Sequence, residues 1–82
     1  MASSSAIVFL NCEIGSKTEV IKEISKISGV DEVKEVVGIY DIIMRISANS
    51  IDELKETITK QIKEKDKVFS TMTLIMTNKT EN

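Results

Sequence analysis

The sequence predicts an α+β domain in which a four-stranded antiparallel sheet carries two helices on one face. Three observations lead there. Apolar residues switch between a two-residue and a three-to-four-residue period in the order βαββαβ. A Ser-x-x-Glu box stands at each of the two places where a helix must begin, at Ser16 and at Ser50. The chain has no proline and its connections are only a few residues long, which favours sequential elements packing side by side. Right-handed crossovers between the two βαβ halves give the ferredoxin-like plait, an αβ sandwich.

The elements follow in order. Ala6 to Cys12 is a β-branched and aromatic run that ends before Gly15. Ser16-Lys17-Thr18-Glu19 matches a capping box, in which serine and glutamate satisfy each other's orphan N–H groups. The helix behind it puts Val20, Ile21, Ile24 and Ile27 on one stripe and Lys22, Glu23 and Lys26 opposite, with Gly29 placed to end it in a left-handed conformation. Val30 to Val37 and Asp41 to Ala48 are the second and third strands, a hairpin turning at Gly38. Ser50-Ile51-Asp52-Glu53 opens a second helix with Ile51, Leu54, Ile58 and Ile62 at helical spacing, ending near Lys65. Val68 to Thr77 closes the domain. Residues 6–77 are thus expected to form one domain, with residues 1–5 and 78–82 as flexible tails.

The strand patterns point to an interface. On the third strand Ile42, Met44 and Ile46 should meet the helices, leaving Asp41, Ile43, Arg45 and Ser47 on the open face. On the last strand Met72, Leu74 and Met76 share one face, and Phe69, Thr71, Thr73 and Ile75 the other. An open face bearing Ile43, Ile75 and Phe9 is costly in water, so two sheets are expected to pack face to face in a homodimer with Arg45 near the contact. The lone arginine is expected to pair with an acidic neighbour there.

Composition narrows the function classes. Eighty-two residues bury a thin core, which oligomerisation would supplement. The 11 basic and 13 acidic residues are interleaved, so no basic face invites nucleic acid. The run from Ala6 to Leu10 is too short for a signal core or a membrane span, and the expected location is the cytoplasm. Cys12 cannot build a disulfide framework and reads as a small buried apolar residue. The chain lacks histidine, a Cys-x-x-Cys loop and a glycine-rich phosphate cradle, so neither catalysis, a metal nor a cofactor is expected.

The stretch that bears chemistry is Gly38-Ile39-Tyr40-Asp41, the sole tyrosine beside a carboxylate at a turn. Either Tyr40 packs and Asp41 accepts local backbone bonds, or both converge with backbone N–H groups on a small ligand. Together with Phe9-Leu10-Asn11, the run from Val33 to Ile43 and the closing Ser70 to Met76, this element resembles the effector domain of the Lrp/AsnC regulators, the regulation-of-amino-acid-metabolism (RAM) domain. The resemblance covers about Ala6 to Thr77. Its specific parts are Gly-x-Tyr-Asp and Thr-x-Thr; Val37 departs from the threonine that commonly precedes the glycine. No helix-turn-helix segment precedes Ala6, so the resemblance is to a stand-alone form, found especially in archaea.

That resemblance implies sheet-mediated dimers, often assembled into octamers, which bind a small effector, typically an amino acid, between dimers. Carried onto this chain, Gly38, Tyr40 and Asp41 would wall the cleft, with Thr71 and Thr73 as hydroxyl donors and Phe9, Ile43, Arg45 and Ile75 at the dimer interface. A zwitterion needs such an acceptor for its ammonium and donors for its carboxylate. The threonines also read as ordinary β-formers on a sheet face. A competing expectation is a ligand-free assembly module that pairs with full-length Lrp-like regulators. The related ACT domains are a third option, against which the Gly-x-Tyr-Asp hairpin argues.

Overall fold

The computed structural model describes residues 4–76. Its elements are β1 (Ser4–Cys12), α1 (Lys17–Ser25), β2 (Val30–Glu35), β3 (Ile42–Ala48), α2 (Ile51–Thr57) running on into a π-helical segment (Ile58–Lys63), and β4 (Val68–Met76). The strands lie in the order β2-β3-β1-β4, each antiparallel to its neighbours, as the ferredoxin-like plait requires. Ser4 and Ser5, expected as part of a tail, instead extend β1 by pairing with Ala48 and Ser47. The remaining residues of the two expected tails, and Thr77, lie outside the described residues. No helix among the described residues is long and apolar enough to cross a membrane.

The core sits between the sheet and the helices. Ala6, Val8 and Leu10 of β1 and Ile42, Met44 and Ile46 of β3 alternate onto the covered face, where Val20 and Ile24 of α1 and Leu54, Ile58 and Ile62 meet them. Leu54, Ile58 and Ile62 are spaced by four, more than the 3.6 residues of an α-helical turn, so in a continuous α-helix they would drift around the axis. The wider π-helical turn from Ile58 holds them on one side. Ile51, expected on this stripe, is instead exposed.

The two capping boxes fare differently. Ser50 has an extended backbone and its Oγ accepts the Glu53 N–H at 3.1 Å, while Glu53 Oε1 accepts the Asn49 N–H at 3.2 Å, one residue earlier than a reciprocal box. At α1 the box does not form. Ser16 has ψ of 5° and its hydroxyl accepts no helix N–H, and the Glu19 carboxylate is taken by Lys67 Nζ at 3.1 Å. Gly29 behaves as expected, with φ of +97°. A Cβ there would stand 2.7 Å from the Ser47 carbonyl oxygen, so this turn also needs glycine for the close approach of β3.

The last strand corrects the expected faces. Cys12 pairs with Val68, but Asn11 pairs with Ser70, leaving Phe69 as the extra residue of a bulge. Val68 is buried, and unbroken alternation would send Phe69, Thr71, Thr73 and Ile75 to the open face. The bulge switches the parity. Thr71, Thr73 and Ile75 therefore pair with Leu10, Val8 and Ala6 on the helix side, and Ile75 packs against the core rather than at the open face. Met72, Leu74 and Met76 take the open face instead.

Candidate functional site

Residues 36–41 link β2 to β3 at the end of the sheet where β1 finishes. Val36 N–H donates to the Asp41 carbonyl at 2.9 Å and closes the loop. Asp41 then anchors it to β1 twice: its N–H donates to the Leu10 carbonyl at 3.0 Å, and its Oδ2 accepts the Cys12 N–H at 3.1 Å. One oxygen of this carboxylate does accept a backbone N–H, but from Cys12 on β1 rather than from its own turn, so the bond is not the local one expected. Oδ1 takes no hydrogen bond from another described residue. Burial and the nearby Asp41 charge push the Cys12 thiol above its ordinary pKa, in keeping with its place in the core.

The tip of the loop is open. Gly38 has φ of +143°, a conformation L side chains avoid, yet no described residue comes within 4 Å of where its Cβ would be. The N–H groups of Val37, Gly38, Ile39 and Tyr40 find no acceptor among the described residues. Val37 and Ile39 are 99% and 86% exposed. The antiparallel pairing brings the β1–α1 turn and the start of β4 to the same end, and with them Ile14, 98% exposed, and Phe69, 69% exposed. Tyr40 turns the other way: its ring lies 5.6 Å from that of Phe9, tilted by 46°, so it packs over the end of the open sheet face.

Register fixes that face. Ile7 and Phe9 stand beside Arg45 and Ile43 on one side and Leu74 and Met72 on the other. The β1–β4 half carries Ile7, Phe9, Met72, Leu74 and Met76, of which the last three are between two-fifths and half exposed. The β2–β3 half is charged. Arg45 Nη1 lies 3.2 Å from Glu32 Oε1, the acidic pairing expected of it. A depression of about 200 Å³ opens beside Ile7, Ile43 and Arg45.

Of the nominated ligand residues the structure groups Gly38, Tyr40 and Asp41 and separates the threonines. Thr71 and Thr73 sit on β4, beyond β1 and on the helix side, about 10 Å away by strand spacing. Of the nominated interface residues Phe9, Ile43 and Arg45 share the open face. The sequence reading missed Met72, Leu74 and Met76, and no local signal marks the bulge that turns them outward. A larger cleft of about 540 Å³ runs between α1 and the π-helical segment, but polar side chains line it, and the pairs Lys67–Glu19 and Lys65–Glu23 span it.

Comparison with known proteins places this geometry. A sequence model described as the Lrp/AsnC ligand binding domain matches residues 5–81. An uncharacterised helix-turn-helix-type transcriptional regulator of Pyrococcus abyssi is 29% identical over 73 residues, 89% of this chain and 46% of that protein. The homocitrate synthase of Saccharolobus islandicus is 33% identical over 75 residues, 90% of this chain but 16% of the enzyme. The chain thus spans about half the length of the first of these relatives and a small part of the second. Among solved structures, FFRP-DM1 superposes with a TM-score of 0.88 at 24% identity, covering 90% of this chain and 99% of that one. A Neisseria meningitidis transcriptional regulator, solved as a complex with L-Met, superposes with a TM-score of 0.80 at 9% identity, covering 96% of this chain and 53% of that one. These two share the fold. By the match over nearly its whole length, the chain belongs to the Lrp/AsnC ligand-binding domain family, a family of regulatory ligand-binding modules.

Proposed function

We propose that the chain is an effector-sensing module that dimerises through its open sheet face and binds a free amino acid at the loop of residues 36–41. The observation that carries this reading is the loop itself. Among the described residues it holds four backbone N–H groups without an acceptor around Gly38, and a carboxylate with one uncommitted oxygen at its base. Such N–H groups suit an α-carboxylate, and Asp41 Oδ1 suits an α-ammonium. The exposed Val37, Ile39, Ile14 and Phe69 at the same end provide an apolar surface for a second dimer, whose approach would shield the ligand from water. Assembly beyond the dimer, up to an octamer, follows from that closure. The threonines of β4 are not needed as donors.

Two likenesses support an amino-acid effector: the fold neighbour from Neisseria meningitidis was solved with L-Met, and a segment resembling this chain occurs both in a transcriptional regulator and in an enzyme named homocitrate synthase. A module common to both fits a sensing part rather than a catalytic one. The Cys12–Asp41 bond favours the second reading, an assembly module without a ligand that joins full-length regulators, because it gives the carboxylate a structural task. A thermal-shift and calorimetry panel of the twenty amino acids separates the two. A ligand at 100 times its dissociation constant adds about 2.7 kcal/mol of stability. If no amino acid shifts the protein, the assembly module stands and the sensor falls.

A further inference from the structure

The charged half of the open sheet face is out of place on a surface otherwise built to be covered. Its four charges form one connected chain. Lys34 Nζ lies 3.3 Å from Glu32 Oε2, Glu32 Oε1 lies 3.2 Å from Arg45 Nη1, and Arg45 Nε lies 3.9 Å from Asp31 Oδ2, which also accepts the Ser47 hydroxyl at 2.6 Å. Asp31 owes its place to the irregularity of β2, where the register with β3 shifts between Val30 and Glu32. Each of these side chains is 41–67% exposed in the single chain, and the set is neutral overall.

We infer that this row is a self-recognition element, which selects a second copy of this chain and sets the orientation in which the two sheets meet. The inference rests on the dimer reading above. Along the face the signs run plus, minus, plus, minus from Lys34 through Glu32 and Arg45 to Asp31. Reversing that order inverts every sign. A copy laid antiparallel therefore sets Lys34 toward the partner's Asp31 and Glu32 toward the partner's Arg45, and it also lays the apolar β1–β4 half against its own counterpart. A parallel alignment sets like charges together, which opposes docking. A uniformly acidic or basic partner would meet two repelling charges in the row, whereas a second copy meets none. Because every charge already has a partner within the chain, covering the row leaves no lone buried ion.

The test is subunit mixing measured by native mass spectrometry, with sedimentation equilibrium on each protein alone. Arg45→Glu should weaken self-association by at least about tenfold, because two of the four contacts between the copies then set acid against acid. Its side chain is half exposed, and circular dichroism checks that the fold is kept. The double variant Glu32→Arg with Arg45→Glu restores the central pair at the expense of its contacts with Lys34 and Asp31, and its signs still invert on reversal, so it should self-associate far more tightly than Arg45→Glu alone. In a mixed pair with the parent, two of the four contacts become like-charged, and mixed dimers should fall well below the half given by random pairing. Random mixing, or an Arg45→Glu protein that dimerises as tightly as the parent, would overturn the inference while leaving the dimer standing. A parent that stays monomeric would overturn both.

Discussion

Replacing Asp41 by alanine isolates the bond on which the loop hangs. The Cys12 N–H then loses its 3.1 Å partner in a half-buried place, while the backbone bonds of residue 41 to Leu10 and Val36 remain. A hydrogen bond to a charged acceptor contributes about 1.5–3 kcal/mol, and partial access of water argues for the lower end, about 1.5 kcal/mol. For a domain of this size each kcal/mol moves the melting temperature by about 4–8 °C, so Asp41→Ala should melt about 6–12 °C lower. Asp41→Asn keeps an oxygen for the same N–H and should cost less than half as much. The assay is thermal unfolding by circular dichroism at fixed chain concentration, since a dimer's melting temperature depends on it. If the alanine protein melts within a degree of the parent, Asp41 does not anchor the loop, and if asparagine is as damaging as alanine, charge rather than the acceptor is what matters.

Ile43→Glu, on the open face beside Phe9 and Lys34, should cost several kcal/mol of dimer stability by burying a carboxylate, read as a monomer in sedimentation equilibrium. Gly29→Ala must accept φ of +97° and a 2.7 Å approach to the Ser47 carbonyl, and should destabilise by about 2–3 kcal/mol in denaturant unfolding. The pKa of Cys12 is raised by burial and then by Asp41, so the stability this gives is complete below the unfolded thiol's ordinary range and is lost as pH rises through the folded value. Lys67, raised by its hydrogen bond to Glu19, acts in the same sense. A urea midpoint that stayed flat or rose on the alkaline side of that range would contradict both.

Much of the fold could be read from the chain because alternation and helical spacing report burial directly. Ile42, Met44 and Ile46 against Ile43 and Arg45, or Val20 with Ile24, follow from pattern alone. Ile75 could not be assigned from pattern. Its face depends on Phe69 bulging against β1, a long-range register choice that local sequence does not encode. The candidate loop was legible through Gly38 and the neighbouring Tyr40 and Asp41. What the pattern could not tell was that one oxygen of Asp41 is already spent on Cys12, a contact between residues 29 apart in the chain. The first capping box failed for a related reason: Glu19 has a tertiary partner, Lys67, that the local motif does not contain.

The most direct measurement is an amide chemical-shift titration of the isotope-labelled protein with whichever amino acid stabilises it in the thermal panel. Binding at the proposed site should move the amides of Gly38, Ile39, Tyr40 and Asp41 together, with Cys12 following through its bond to the Asp41 carboxylate, while α1 and the π-helical segment stay in place. Shifts confined to the cleft lined by Glu23, Lys60 and Glu64, with the loop unmoved at saturation, would contradict it.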